Sequence, residues 1–179
     1  MLEELKKLDS TFTESMFKSK VDNIFVLMMS SIMFRDITRI YSSLNEDMRN
    51  KVQGIIDELN SNNEIQMYDE LNVKDTIIKN VQILEDKYVI EVLLTSRYLD
   101  YKLDATTKRF KSGNNSSRIE LRNHLVFEEK RNHKSLGIAA KCPNCGANID
   151  YNYSGVCEYC KEQMPKEDYD WILTSWERY

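Results

Sequence analysis

Hydrophobic positions in the first third of the chain recur with the spacing of helices. Residues 11–14 (Thr-Phe-Thr-Glu) form a capping box, and apolar residues then follow three or four positions apart as far as Met33. Asp36 stands where it can cap a short second helix, and residues 46–59 carry one apolar face. The pattern therefore predicts three helices before residue 60.

The period of the pattern changes after residue 72. Residues 73–84 are rich in β-branched side chains, residues 85–87 read as a turn, and residues 88–104 predict a long strand. Residues 111–116 have the composition of a loop, and residues 118–130 supply another strand. Helices followed by consecutive antiparallel strands predict an α+β fold in which the two kinds of element form separate layers.

The last residues also alternate between two faces. Tyr169, Trp171 and Leu173 share one face, which predicts a strand, with a short helix from Lys166 as the alternative. We expect this strand to pair with residues 148–153. In that arrangement Trp171 would shelter the nearby cysteines from water, and Trp176 would extend toward the rest of the protein or a second chain.

The four cysteines carry the strongest chemical signal. They form two Cys-x-x-Cys pairs, Cys142 with Cys145 and Cys157 with Cys160, separated by eleven residues. Each pair directs two thiolates at one point, so the two together predict a tetrahedral cage for one structural zinc ion. Iron in the same cage, two disulfides and a redox-active pair are the alternatives. Four thiolates leave no open coordination position, which argues against a catalytic metal.

Composition and charge narrow the class of protein. With 41% hydrophobic and 30% charged residues, the chain has the profile of a soluble globular protein. Its longest apolar run is too short to span a bilayer and its N-terminus lacks the features of a secretion signal, so we expect a cytoplasmic protein, peripheral to a membrane at most. The sequence pI of 5.4 disfavours nucleic acid as a partner.

One segment is basic, although the chain as a whole has a formal net charge of −4. Residues 105–134 carry eight basic and three acidic side chains. The segment is a candidate contact for an anionic partner or an acidic membrane surface, with a solvated hairpin as the alternative. The candidate contact residues are Lys108, Arg109, Lys111, Arg118 and Arg122.

An enzyme would need a carboxylate or histidine with a shifted pKa inside an apolar pocket. Asp36 and Asp100 are candidates for such a group, and Tyr98 and Tyr101 are candidates for lining a pocket. The simpler interpretations are a helix cap for Asp36 and either core packing or an outward position at a strand end for the other three. The two histidines, His124 and His133, belong to no catalytic or metal-ligand pattern, so we expect no enzymatic activity.

Two parts of the sequence resemble a known family. Residues 21–44, the helix that begins at Glu46, residues 98–104 and residues 126–131 resemble the Tim44-like domain, named for a matrix-side subunit of the mitochondrial inner-membrane import translocase. Residues 140–160 and 169–173 resemble the zinc-ribbon tail of bacterial members. The sequence departs from the family at 107–108, where Thr-Lys replaces Thr-Gly, and at 125–126, where Leu-Val stands in place of a tryptophan.

The resemblance implies a cone-shaped α+β fold of the nuclear-transport-factor-two-like class, in which a curved antiparallel sheet cups helices around a pocket. It implies a Tim44-like domain over residues 1–136, a zinc ribbon over residues 137–179, and a scaffold or membrane-associated role. We therefore expect a non-enzymatic binding or scaffold module with one structural zinc ion and a protein partner or a second copy of the chain. A small-ligand-binding or isomerase-like protein is the alternative.

Overall fold

The computed structural model describes residues 2–131, 140–142, 144–149, 157–162 and 170–179. Three α-helices come first: α1 at Leu2–Leu8, α2 at Glu14–Phe34 and α3 at Glu46–Ser61. Two short 3-10 turns, Ile37–Arg39 and Tyr41–Ser43, connect α2 to α3. No helix in this described part of the chain has the length and apolar composition needed to cross a bilayer.

The helix starts confirm the capping signals, with two differences. The Thr13 hydroxyl accepts the Met16 amide at 3.3 Å, so Thr13 and not Thr11 caps α2. Asp36 is a cap as predicted, because its carboxylate accepts the Thr38 amide at 2.9 Å. The element that it begins is a pair of 3-10 turns and not a continuous helix. The pattern gave no indication of α1.

Four strands form one antiparallel sheet. They are β1 at Glu64–Ile83, β2 at Lys87–Asp104, β3 at Phe110–Lys130 and β6 at Ile172–Arg178, in the order β1-β2-β3-β6. A second sheet has only two residues in each strand, β4 at Ala140–Lys141 and β5 at Asn148–Ile149. The turn between β1 and β2 lies where the sequence predicted it.

Two strands are longer than the pattern predicted. β1 begins at Glu64 and not near residue 73, because its first half pairs with the second half of β2 across a bulge in which Glu70 has a φ of 57°. The predicted loop at residues 111–116 lies within β3. Gly113, opposite Tyr101, has a φ of 94°, and a Cβ there would lie 2.5 Å from the Asp100 carbonyl oxygen, so the glycine marks close packing of two strands.

The C-terminal strand exists as predicted, but its expected pairing is wrong. β6 pairs with β3, with Leu125 opposite Trp176 and Phe127 opposite Leu173. β5, which was expected to receive it, pairs with β4. The large core offers these apolar side chains far more buried surface than a pair of two-residue strands can. Residues 150–153 lie outside the described residues. The same is true of residues 163–169, where the alternative helix from Lys166 would begin.

The core lies between the helices and one face of the sheet. Alternate residues of β2, from Tyr88 to Tyr98, are buried, and they pack with the buried residues of α2 and α3. Trp171, just before β6, is 5% exposed and lies 5.0 Å from Phe17 and 6.1 Å from Phe12, measured between ring centroids. The fold is therefore α+β, with helices packed on an antiparallel sheet, and it is consistent with a nuclear-transport-factor-two-like arrangement. We call residues 2–131 together with residues 170–179 the helix–sheet body.

Candidate metal centre and surrounding sites

The two Cys-x-x-Cys segments fold into the same turn. In the first, the Cys142 amide donates to the Ala147 carbonyl at 2.8 Å, and the Gly146 amide donates back to the Cys142 carbonyl at 2.8 Å. In the second, Cys157 donates to the Glu162 carbonyl at 2.8 Å, and Lys161 donates back at 2.9 Å. The hydrogen bonds repeat at the same sequence offsets, so each turn is specified by about six consecutive residues.

Both turns need a residue in the left-handed region four positions after the first cysteine. Gly146 fills that position in the first turn with a φ of 71°. Lys161 fills it in the second with a φ of 62°. For a residue with a Cβ this conformation costs roughly 1–2 kcal/mol. The sequence reasoning missed Lys161, although the equal offsets of residues 146 and 161 from Cys142 and Cys157 could have indicated it.

The turns bring four sulfur atoms together. All four Sγ atoms lie within 4.8 Å of one another, with Cys142 and Cys160 3.6 Å apart and Cys145 and Cys157 3.7 Å apart. A tetrahedral zinc ion with Zn–S bonds of about 2.3 Å requires sulfur atoms about 3.8 Å apart. A disulfide would require about 2.05 Å, and all four cysteines are free thiols. The donor set and its spacing are compatible with one zinc ion.

The thiols differ in their surroundings. Cys142 and Cys157 are buried, whereas Cys145 is exposed. A hydrogen bond from the Glu162 amide lowers the pKa of the Cys160 thiol to about 6. The Ala147 amide lowers the pKa of Cys145, but desolvation and the neighbouring sulfur atoms together raise it to about 12. Thiolates crowded in this way repel one another unless a cation neutralises them, which is the role that a zinc ion would have here.

The basic residues predicted to contact an anion have local partners. Lys111 Nζ lies 3.0 Å from Glu64 Oε1, Arg118 forms an ion pair with Glu70, and Lys108 Nζ donates to the Ala105 carbonyl at 2.7 Å. The five do not form one compact cluster. Lys108, Arg109 and Lys111 surround the β2–β3 turn, whereas Arg122 lies far along β3 opposite Thr95. An anionic or membrane contact at these residues stays a prediction.

Tyr98 and Tyr101 are three residues apart on β2, and a register shift in the pairing with β3 falls between them. Tyr98 is fully buried and packs edge to face on Tyr68, with ring centroids 5.3 Å apart. Burial raises the pKa of its hydroxyl, which has no hydrogen-bond partner among the described residues. The Tyr101 hydroxyl, which is partly exposed, donates to Asp69.

The remaining candidates for acid–base chemistry have structural partners. Asp36 caps a 3-10 turn, and hydrogen bonds from Thr38 lower its pKa. Asp100 accepts a hydrogen bond from Gln66 at 2.7 Å. His124 Nε2 lies 3.4 Å from Glu91 Oε2 on the sheet. His133 lies outside the described residues.

One cluster was not anticipated from the sequence. Lys51 on α3 and Arg178 on β6 both lie against the Trp176 ring, at 5.4 Å and 5.0 Å from its centroid. Arg178 also lies over the Tyr68 ring at 5.7 Å. The residues come from three elements far apart in the sequence, so no local motif could have indicated the cluster.

A comparison with protein-family models gives one match, described as the Tim44-like domain, over residues 1–136. Its end point falls just before the first cysteine pair, so the match covers the helices and strands β1 to β3 and not the sulfur cluster. It confirms the resemblance to the Tim44-like domain, whereas the resemblance of residues 140–160 and 169–173 to a zinc-ribbon tail stays a prediction. No curated protein matches the chain.

Proposed function

Because the chain belongs to the Tim44-like domain family, we propose that it is a non-enzymatic binding or scaffold module that carries one structural zinc ion. The sulfur cluster is the observation that carries this proposal. Four thiols lie within 4.8 Å of one another on two turns of the same geometry. A zinc ion bound by four thiolates has no position left for water or substrate, and it stabilises a fold instead of catalysing a reaction.

Cys142, Cys145, Cys157 and Cys160 would hold the ion. The ion would link the first turn, which the short strands β4 and β5 flank, to the second turn at residues 157–162. Binding of zinc and folding of this segment would therefore be one equilibrium. Free thiols persist in a reducing compartment, which favours the cytoplasm as the location of the protein.

The partners of the titratable residues support a non-catalytic role. Asp36 serves as a cap, Asp100 is held by Gln66, and the carboxylate of Glu91 faces His124. Each contact explains its residue without a substrate. Two carboxylates that line the open groove beside α2 also have partners, because Asp22 accepts from Thr76 and Asp170 from Lys20.

An apolar surface on α2 supports a protein partner. Met16 is 67% exposed, and Val26 and Leu27 lie on the same side of the helix. Together with Leu71 and neighbouring residues of β1, they line an open groove. Exposed apolar surface of this kind marks interaction sites in soluble proteins, so we place the binding surface at this groove.

Metal analysis tests the zinc part of the proposal. Protein purified without chelators should contain about one zinc per chain, and cobalt added to the metal-free protein should give the sulfur-to-cobalt charge-transfer band of a thiolate site. Little metal of any kind would contradict the proposal. A content of about one iron per chain, with the corresponding absorption spectrum, would mean that the structural ion is iron and not zinc.

Site-specific cross-linking tests the binding surface. A photoreactive residue at position 16 in the native host should cross-link to a defined protein, whereas one at position 34, which is equally exposed but outside the groove, should not. Met16→Ser should weaken binding of the identified partner at least tenfold, with Phe34→Ser as the matched control. Equal cross-linking at the two positions would show that the groove is not the binding surface.

A further inference from the structure

A small pocket opens beside the last strand and shares no lining residue with the cysteine cluster or the α2 groove. It has a volume of about 260 Å³, and α3, β1 and β6 contribute its walls. The residues that line it are Lys51, Ile55, Tyr68, Trp176 and Arg178. Two of the five are cations and three are apolar or aromatic. This combination suits a ligand with one anionic end and one apolar part.

The two cations are held in place by their neighbours. The Arg178 guanidinium lies over two rings, 5.0 Å from the centroid of Trp176 and 5.7 Å from that of Tyr68. Lys51 Nζ donates to the Trp176 carbonyl at 2.5 Å and lies 5.4 Å from the same indole ring. Cations fixed by aromatic faces lose little conformational freedom when a ligand binds.

The positive charge of the pocket is only partly balanced. The acid nearest to Arg178 is Asp100, whose Oδ2 lies 3.9 Å from the guanidinium, beyond hydrogen-bond distance. The other oxygen of Asp100 already accepts from Gln66 at 2.7 Å. In the part of the chain that the structure describes, Lys51 forms no ion pair. The Arg178 side chain is 28% exposed, and a partly buried cation without a close ion pair has capacity for an anion, which the exposed Lys51 can also reach.

A buried hydroxyl lies behind the pocket wall. Tyr98 is fully buried, its ring contacts Tyr68, and its hydroxyl lacks a hydrogen-bond partner among the described residues. A buried polar group without a partner destabilises a fold by about 1–3 kcal/mol.

We propose that the pocket binds a small organic carboxylate. The carboxylate lies between Lys51 and Arg178, and its apolar part lies on Trp176 and Ile55. The planar guanidinium can donate two parallel hydrogen bonds to a carboxylate, and the apolar walls favour a weakly hydrated anion over a strongly hydrated one such as phosphate. The carboxylate can belong to a free acid or to the C-terminus of a peptide. The inference is independent of the zinc site and of the α2 groove.

Titration of the full chain with phenylacetate tests the proposal, with the indole N–H signal of Trp176 followed by NMR. We expect a saturable shift at Trp176, little change at Trp171, and no saturable shift with the neutral methyl ester or inorganic phosphate. A second titration compares a short peptide that ends in Phe with the same peptide carrying a C-terminal amide. It tests whether the bound carboxylate is the C-terminus of a peptide. If only the free-carboxylate peptide binds, the natural ligand is a polypeptide end.

Variants decide which groups recognise the anion. Lys51→Gln and Arg178→Gln should each weaken binding at least tenfold, and Arg178→Lys should restore only part of it because the planar fork is lost. Lys18→Gln, which removes a surface lysine paired with Glu14, is the matched control and should leave affinity unchanged. If Arg178→Gln does not fold, Lys51→Gln decides alone. Failure of every acid to bind, equal binding of the methyl ester, or unchanged affinity in Lys51→Gln would overturn the proposal.

Discussion

The helix–sheet body and the cysteine segment at residues 140–162 are stabilised by different physics. The body buries large side chains such as Phe25, Tyr98 and Phe127 between long elements. The described part of the cysteine segment has two-residue strands and two turns, and its two buried cysteines face the other sulfur atoms. Apolar burial can therefore hold the body without a cofactor, whereas the described part of the segment offers little surface for such burial.

The two regions are nevertheless connected through neighbouring positions of the sheet. β3 leads into the segment and β6 follows it, and Glu128 on β3 is the register partner of Ile172 on β6. The chain thus leaves the sheet and returns to it at one place. The segment is therefore a long connection between two paired strands. We expect that it can be disrupted while β3 and β6 remain paired.

Loss of one metal ligand should separate the two regions most clearly. Cys157→Ser removes one of four thiolates, and structural zinc sites are worth about 10–16 kcal/mol of apparent binding free energy at neutral pH. We expect the zinc content to fall from about one per chain to near zero, with protease cleavage confined to the cysteine segment. The thermal transition of the body should change little.

Tyr159→Ser is the matched control for that experiment, because Tyr159 is 70% exposed in the same turn and offers no ligand. It should keep both zinc and protease resistance. Simultaneous unfolding of the body in Cys157→Ser would show that the two regions are one cooperative unit.

Removal of the Trp171 indole should have the opposite effect: it should destabilise the helix–sheet body and leave the metal site intact. The indole contacts Phe12, Phe17 and Tyr88 in the body, so Trp171→Ala should lower the free energy of unfolding by about 3–5 kcal/mol. Urea denaturation measures the loss, and the rate of zinc transfer to a chelator should stay unchanged. Phe34→Ala, at a side chain that is 66% exposed, is the control. Faster zinc release with unchanged stability would mean that Trp171 shelters the thiolates after all.

Trp171 also shows where sequence reasoning stops. Alternation near the C-terminus correctly predicted a strand, because a strand places alternate residues on one face whatever its partner. The partner depends on which distant surface buries those residues best, and here Phe12 and Phe17 of the body provide it. For the same reason the Gly-Asn-Ser composition of residues 111–116 suggested a loop, although Gly113 is required by contact with β2.

The two candidate sites differ in the same way. The sulfur cluster was predictable because each Cys-x-x-Cys turn is closed by hydrogen bonds within six residues. The anion pocket was not predictable, because Lys51 and the Trp176 carbonyl that it contacts are 125 positions apart in the sequence. A site formed by residues that are close in the sequence can be predicted from their spacing. A site that packing assembles from distant residues can be found only once the three-dimensional structure is known.

A buried polar network allows a finer test of how β6 is attached to the body. Trp176 Nε1 donates to Asn123 Oδ1 at 3.1 Å, and Asn123 Nδ2 donates to Ser96 Oγ at 3.0 Å. Trp176→Phe keeps an aromatic ring but leaves the Asn123 oxygen without a donor, so the unfolding free energy should fall by about 1–3 kcal/mol. The double variant Trp176→Phe/Asn123→Leu should lose less than the sum of the two single losses, as a double-mutant cycle in urea would measure. Additive losses would indicate that the hydrogen bond contributes nothing to the attachment.

The smallest expected effect concerns charge at the far end of the body, where the basic segment begins. Glu64 lies 2.8 Å from Lys102 Nζ and 3.0 Å from Lys111 Nζ. The hydrogen bond from Lys102 and then that from Lys111 lower the pKa of Glu64 below its ordinary value of 4.5. The unfolded chain therefore takes up this proton at a higher pH than the folded chain does. The resulting stabilisation is present above pH 4.5 and is lost as the pH falls through the lowered pKa.

Glu64→Gln removes this contribution, so the difference in unfolding free energy between the natural chain and the variant should be largest above pH 4.5 and should shrink on acidification. Glu58→Gln, which alters an α3 carboxylate without a described ion pair, should show no such trend. Added salt should reduce the Glu64 effect, because the lysines are partly exposed and screened. A difference that is constant across pH would show that the two lysines interact with solvent and not with Glu64. In that case Lys111 would be available to an anionic partner, as the sequence alone suggested.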